Sequence, residues 1–529
     1  MTIYVGSEVQ DNNLQSESFG NVKVTALANG GFAIAWRFSS QDAYLRTFDA
    51  SGTAATTDEV HALTGAANLD YYGFDITGTT NDGVELAWCS YGADGSGNGY
   101  GISHLSFTND GSVDGIQGIV NSATYGPQIF PSIAEFGDGG WIAAYSSWGY
   151  GTTGGYAVTV RAFDSSGNVV SLLNDSAESG TGDRIVNQNL GINPMDVEIA
   201  TLANGGFVVS WTSGPINPNI GQDGSYNGIF HRVFNADGSA VTDETQVNIG
   251  TDVNQDYSSV TALAGGGYVI TWEDSGSYDG ENRGIFQQFY NANGVAQSET
   301  DILVNTSITG NQYRPDVAAL ENGGWVVVWQ SGHGGDSEIY QKVYAADGTV
   351  LMDETQVSST TGQSFFASVT GIDDGGWVVA WNAVGKVPGD EQSVHHRQFG
   401  FTYEAPSGFD KAVKIKEDVA QTLSANYFGF SDDDGNAMKG VIISSLPTKG
   451  ALKLNGVAVT TGQTIDAADL GNLTYTPPAN AFGTGLAKIG FKVVDDGGTA
   501  YDSVDTDASE NYVTFNITDV VDVFNGTNA

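Results

Sequence analysis

One ten-residue pattern, repeated seven times, constrains this chain more than any other feature. It is clearest at Leu320–Trp329 (LENGGWVVVW) and returns at Leu27–Trp36 (LANGGFAIAW), Thr79–Trp88 (TTNDGVELAW), Phe136–Tyr145 (FGDGGWIAAY), Leu202–Trp211 (LANGGFVVSW), Leu263–Trp272 (LAGGGYVITW) and Ile372–Trp381 (IDDGGWVVAW). Each copy reads as a hairpin: an apolar strand, an Asn-Gly, Asp-Gly or Gly-Gly turn that accepts positive φ, then a strand led by an aromatic residue. In Trp325–Trp329 that second strand is apolar on both sides, so both of its faces are expected to be covered. A third strand follows a Gly- and Asp-rich loop and ends in a turn such as FDASG (Phe48–Gly52), FNADG (Phe234–Gly238) or YAADG (Tyr344–Gly348). The better copies add a fourth strand, as at Thr245–Ile249.

From Trp36 to Trp381 the terminal aromatics recur every ~58 residues, the length of a four-stranded unit with its loops. Four antiparallel strands covered on both faces at that period predict an all-β chain whose first part is a seven-bladed β-propeller. Thr2–Gln10 reads as a fourth strand lacking its first three, and the last copy, with its third strand at Val394–Phe401, lacks a fourth. The N-terminal strand is therefore expected to close the ring and to remove an exposed sheet edge. The propeller is placed at residues 1–403 and a Pro-Ser-Gly linker at 404–410. The basic residues change at this point: eight Lys and no Arg from Lys411 onward, against eight Arg and three Lys before it. A second domain at 411–521, with strand-like runs separated by turn clusters, suggests a β-sandwich, and 522–529 form a tail.

Within that second domain, KIKEDVAQTL (Lys414–Leu423), FSDDDGNAMKGVIISSLPTKGALKLNG (Phe430–Gly456), ADLGNLTYTPPANAFG (Ala468–Gly483) and FKVVDDGG (Phe491–Gly498) resemble the cadherin-like repeat of large bacterial surface proteins. The GGW-type hairpins with their FDADG-like turns are similar to repeats of RTX-type calcium-binding proteins exported by type I secretion. The resemblance implies a cadherin-like β-sandwich, an extracellular or cell-surface location and bound calcium. It stops short at Asp522–Ala529, where no array of glycine-rich nonapeptides follows.

Charge and composition narrow the function further. A formal net charge of −43 leaves too few clustered cations for a nucleic-acid surface. No apolar run is long enough to cross a bilayer, so no membrane insertion is expected. The single Cys89 excludes an internal disulfide framework. Gly is abundant (72 residues) and Pro scarce (11), as many tight turns between strands require.

Excess acid also suits calcium, a hard cation that takes several oxygen ligands. Asp432, Asp433, Asp434 and Asn436 surround Gly435, and in the resembled fold Glu417, Asp418, Asp495 and Asp496 would converge on them; a solvated acidic turn is the alternative. The in-register tryptophans Trp36, Trp88, Trp211, Trp272, Trp329 and Trp381 are expected in the core. Trp148, Tyr150, Tyr226 and Tyr278 lie off-register in loops, where a rigid scaffold carries binding, and are the candidate glycan contacts.

No HExxH and no GxSxG occurs, and among 62 carboxylates abundance selects no catalytic pair. The expectation is a non-enzymatic, adhesin-like protein that binds a glycan or cell-surface partner through propeller loops. A virion or appendage component is the alternative. A polysaccharide hydrolase or lyase is the second, which would show itself as a deep axial pocket with two opposed carboxylates or a Tyr, His and Arg cluster.

Overall fold

The computed structural model describes residues 2–12, 20–39, 42–56, 58–63, 69–81, 83–95, 99–115, 117–149, 155–173, 182–190, 192–215, 221–276, 282–332, 337–358, 362–385 and 392–520. Among the described residues the chain is all-β apart from two short 3-10 turns, and its sheets are small and mainly antiparallel. Among the described residues no helix is long and apolar enough to cross a membrane. Two compact units are distinguished, Val5–Gln398 and Phe399–Ala529 with Met1–Tyr4.

The larger unit is organised around the repeated hairpins. Each repeat supplies a first strand, the aromatic-led second strand, a third and a short fourth, hydrogen-bonded in that order; Ile192–Thr201, Phe207–Pro215, Gly228–Phe234 and Thr245–Gln246 form one such sheet. The Gly-Gly turns work as expected. Gly205, Gly266 and Gly323 take φ of 81°, 93° and 84°, a region that costs a glycine nothing. Among the described residues seven such sheets are seen from Val22 onward, with first strands Val22–Ala26, Leu69–Thr79, Gln128–Phe136, Ile192–Thr201, Gln255–Ala262, Gln312–Ala319 and Gln363–Gly371.

Apolar faces are buried between neighbouring sheets, which is why the second strands carry no polar alternation. One cluster joins Leu45 and Ala33 of the first sheet to Trp88 and Phe107 of the next; another joins Val160 to Trp211 and Phe234. Trp36, Trp88, Trp211, Trp272, Trp329 and Trp381 are all fully buried, each ring contributing on the order of 3 kcal/mol. The reading of these six as core holds.

Each first strand is a sheet edge whose outward N–H groups need partners. Side chains of the preceding sheet supply them: Thr25 Oγ1 accepts Gly78 N–H (2.9 Å), Asp75 Oδ2 accepts Ile133 N–H (2.8 Å), Ser132 Oγ accepts Ile199 N–H (3.2 Å), Thr261 Oγ1 accepts Ala319 N–H (3.1 Å) and Asp316 Oδ2 accepts Val369 N–H (2.9 Å). Ser258 Oγ links the fourth and fifth sheets by donating to the Asp196 carbonyl (3.4 Å). The series ends where it began, with Val24 N–H on Ser368 Oγ (3.3 Å), so the circuit of first strands closes on itself.

The N-terminal segment completes the seventh sheet. Val9 and Gln10 pair with His396 and His395 of the strand Ser393–Thr402, and Gly6 and Asp11 donate to the carbonyls of Gln398 and Val394. Register is fixed by a device common to the repeats. Asn121, Asn187, Asn248 and Asn305 each follow a fourth strand or its equivalent and accept, through Oδ1, the N–H at the start of the third strand, all at 2.8 Å. Asn12 does the same to Val394 N–H at 2.8 Å, so a residue some 380 positions away in sequence occupies the equivalent place. Asp11 Oδ1 lies 2.6 Å from His396 Nδ1 beside it, both groups buried.

In the smaller unit, Lys411–Lys416, Asn511–Thr518, Gly483–Asp495, Met438–Ser445 and Thr464–Asp466 form one sheet, and Gln421–Thr422, Leu473–Thr476, Ala451–Leu454 and Val457–Ala458 a second. Both contribute to one core, where Tyr475 and Phe515 stack with ring centroids 4.1 Å apart. Lys411–Lys416 runs parallel to Asn511–Thr518, a pairing with no local sequence signal.

Candidate active site

Two successive layers of the first strands carry the polar chemistry. One layer is set by register: the residue opposite the position just before each repeat's terminal aromatic. These are Lys23, Asp75, Ser132, Glu198, Ser259, Asp316 and Ser368, paired with Ala35, Ala87, Ala144, Ser210, Thr271, Val328 and Ala380. The other lies two residues earlier, at a register shift in the ladder. There Gly73, Phe130, Asp196, Tyr257, Arg314 and Phe366 have φ of 98°, 57°, 46°, 55°, 49° and 54°. Five non-glycine residues in the left-handed region, each costing on the order of 1 kcal/mol, are not a folding requirement of a strand. Bulges re-aim side chains, and here all five line a single cavity of about 730 Å³.

Charge in the cavity is finely opposed. Lys23 Nζ lies 3.5 Å from Asp75 Oδ1 on the neighbouring first strand and 3.7 Å from Glu198 Oε1, three sheets along the circuit, so the ammonium reaches across it. Burial works against that ammonium, but Asp75, Glu198 and Asp316 outweigh it and hold its pKa above the ordinary lysine value. Glu198 is pushed up by burial against the pull of Lys23, with Asp75 and Asp316 adding repulsion, and its Oε2 accepts the Ser132 hydroxyl at 2.9 Å. Asp196 is pushed up to about 6, by burial first and then by the charge of Asp256. Asp256 is raised by burial too, opposed by the Asn227 amide at 2.6 Å and by Arg283.

Asp75 and Asp316 already accept backbone N–H groups between sheets, which is a structural duty. Glu198 and Asp256 take side-chain donors instead, Ser132 and Asn227, whereas Asp196 accepts the Tyr257 backbone N–H, which opposes the rise in its pKa. Tyr257 and Arg314 stand beside them: Arg314 Nη2 donates to Tyr257 Oη (3.3 Å), and burial raises the phenol while the guanidinium opposes it.

Of the loop aromatics proposed from sequence, Trp148 and Tyr226 do not line this cavity. Trp148 is half-buried against Tyr156, with ring centroids 4.8 Å apart, and Tyr226 is 49% exposed on a turn. Tyr150 and Tyr278 lie outside the described residues. The acidic candidates fall into two groups. Asp432 Oδ1 accepts Asp434 and Asn436 N–H, Asp434 Oδ2 accepts Glu404 N–H and Asp496 Oδ1 accepts Ala437 N–H; Asp433 has an exposed place in the same turn series. Asp495 is buried beside them and pushed up to about 6 by burial, then by Asp432, Asp505 and Asp496. Glu417 and Asp418 instead accept the N–H groups of Val520 and Asn480. Among the described residues no three His, Cys, Asp or Glu side chains form a ready metal site.

The cavity residues escaped the sequence reading, although a signal was present. At one register of the first strands, where other copies carry Ser, stand Lys23, Asp75, Glu198 and Asp316, each followed directly by an apolar residue.

No family model and no curated protein sequence matches the chain. Among solved structures it is similar to a polysaccharide lyase (TM-score 0.46, 10% identity, covering 74% of this chain and 90% of that one). It is also similar to an α-L-arabinanase of Penicillium chrysogenum (0.37, 15%, 61% and 92%) and to a GH93 α-L-arabinofuranosidase of Fusarium graminearum (0.38, 12%, 61% and 91%). These likenesses are distant and concern fold.

The cavity, rather than these likenesses, corrects the expectation of a non-enzymatic, adhesin-like binder. That reading put function in peripheral aromatics and gave no weight to the carboxylates. The cavity instead gathers Asp196 and Asp256, buried carboxyls on adjacent first strands, away from Trp148 and Tyr226.

Proposed function

We propose that the chain is a glycan-cleaving enzyme, a hydrolase, built on a seven-bladed β-propeller whose central cavity is the active site. One observation carries this reading: Asp196 and Asp256, on adjacent first strands, face one open cavity and repel each other, and Asp196 keeps its proton up to a pH of about 6. Glycosidic hydrolysis needs a protonated carboxyl to give a proton to the leaving oxygen and a carboxylate to serve the attacking side. Asp196 suits the first role, and Asp256, hydrogen-bonded by Asn227, the second. Phe130 and Phe366, aimed inward by the bulges, offer apolar faces to a sugar ring.

Tyr257 and Arg314 favour a second reading, elimination by a lyase, in which a phenol moves a proton and a cation steadies a developing enolate. Release of reducing ends from a panel of polysaccharides, read alongside the absorbance of an unsaturated sugar product, separates the two. Asp196→Asn and Asp256→Asn are each expected to lower kcat by roughly 10²- to 10⁴-fold. Absence of any bond cleavage across neutral and acidic glycans would remove the reading.

For the smaller unit we propose a cadherin-like module that takes calcium. Support comes from Asp495 Oδ2 and Asn436 Oδ1, both buried and without a hydrogen-bond partner. Asp432, Asp434, Asn436 and Asp495 would hold the ion, which would relieve the repulsion that raises Asp495. A location outside the cell, where polysaccharide is met, belongs to the same proposal.

A further inference from the structure

The search for a site beyond the carboxylate pair leads to the guanidinium of Arg314. In a chain with 62 acidic and 19 basic residues, a cation has every opportunity to find a carboxylate. Arg161 pairs with Asp183, Arg283 with Glu273 and Arg397 with Glu8. In the cavity itself Lys23 is committed to Asp75 and Glu198. Arg314 lines the same cavity, yet among the described residues its guanidinium is within ion-pair distance of no carboxylate and makes a single hydrogen bond, to Tyr257 Oη.

Its placement is nevertheless built. The guanidinium carbon sits 4.4 Å from the ring centroid of Tyr257 and 4.9 Å from that of Phe366, residues of the two flanking first strands at the equivalent bulge position. Aromatic rings hold a guanidinium by its faces and leave its in-plane N–H groups available. From below, Glu273 Oε2 accepts the Arg314 backbone N–H (3.1 Å) and is itself paired with Arg283. Pro315 follows directly, so the backbone on that side is also restricted. The residue therefore keeps a left-handed φ of 49° in order to hold an arginine, rather than a glycine, over the cavity.

We propose that Arg314 recognises an anionic group of the glycan, a carboxylate or a sulfate ester, through a paired hydrogen bond, so that the substrate is an acidic polysaccharide. The proposal rests on the glycan-cleaving reading for its context. A planar fork of donors matches a two-oxygen acceptor, and the half-buried, aromatic-clamped guanidinium is already ordered for it. A neutral sugar would leave that group unmatched on binding.

The test is direct binding, by calorimetry on the full chain, of three oligosaccharides of equal length: an oligogalacturonate, a sulfated galacto-oligosaccharide and an uncharged galacto-oligosaccharide. At least one anionic ligand is expected to bind ten-fold or more tighter than the uncharged one. That preference should weaken with added salt and should fall by about ten-fold in Arg314→Gln, with Arg314→Lys intermediate because it keeps the charge and loses the fork. The two anionic arms tell carboxylate from sulfate. Melting of each variant within a few degrees of the parent shows that the fold is kept, and Phe366→Leu, which removes one side of the clamp, gives an independent partial loss. Equal binding of all three ligands, or an Arg314→Gln variant with the parent's preference, overturns the proposal. Cleavage of neutral glycans with no anionic preference sinks this inference alone, whereas anion-selective binding without cleavage of any glycan sinks the enzymatic reading alone.

Discussion

Replacing Asp196 by Asn should make the protein more stable and less active, and the size of the first effect follows from the site. An unfolded aspartate titrates near 3.8, and in the folded cavity Asp196 titrates at about 6 because burial and Asp256 disfavour its charge. Between those two values the folded state holds more protons than the unfolded one, so stability falls as pH rises through that window. Above about 6 the full penalty is present, about 2 pKa units or roughly 3 kcal/mol. An amide of nearly the same shape carries no charge to bury. Asp196→Asn is therefore expected to gain up to about 3 kcal/mol at pH 7.5 and nothing at pH 3.5, water in the cavity reducing the gain.

For the unit Val5–Gln398, unfolding entropy of ~2.1 cal/mol/K per residue converts that gain into a Tm rise of about 3–4 °C. Calorimetric melting of parent and variant at both pH values measures it, and the same samples assayed on glycan should show the loss of kcat. A Tm difference that is the same at both pH values, or a variant less stable at pH 7.5, would refute the claim that Asp196 is a strained acid.

Other consequences are testable in the same way. Lys23→Met leaves Asp75 and Glu198 facing each other uncompensated and should cost about 3 kcal/mol, most of it recovered when Glu198→Gln is added; a non-additive cycle is the signature. Removal of residues 1–12 deletes the pairing with His395 and His396 and orphans Val394 N–H, so the larger unit should melt at least several degrees lower, and unchanged melting would count against closure by this strand. Calcium should raise the melting of the smaller unit and a chelator reverse it, with Asp495→Asn abolishing the difference. Indifference to both would dismiss the proposed ion.

Much of the larger unit was legible because its signals are local. A Gly-Gly or Asn-Gly turn states its own backbone conformation, and the uniformly apolar run Trp325–Trp329 states that both faces are covered. Even the closing strand could be read, since a spare Thr2–Gln10 matched one unfilled place; the structure divides it into Thr2–Val5 and Val9–Gln10. In the smaller unit the succession of strand-like runs and turn clusters was legible, whereas the parallel partner Lys411–Lys416, with three lysines in six residues, gives no such signal.

The candidate site was hidden for two physical reasons. Its residues come from separate repeats about 60 positions apart, so no short window of sequence contains two members of one layer; each strand gives one residue to each layer, as with Asp196 and Glu198 or Arg314 and Asp316. Moreover, the bulge that aims them is announced by residue type only at Gly73; Phe130, Asp196, Tyr257, Arg314 and Phe366 take the same backbone conformation without favouring it. The loop aromatics were easier to see, and of them Trp148 and Tyr226 lie elsewhere.

Sequence by itself determined the repeating unit, because hairpin turns and buried second strands are decided within ten residues by backbone sterics and the hydrophobic effect. Which carboxyls meet, which one is resisted in taking its charge, and which arginine is left outside ion-pair reach of a carboxylate were decided only when the first strands closed into a circuit. Electrostatic energy depends on distance through space and on access to water, and neither quantity exists along an open chain.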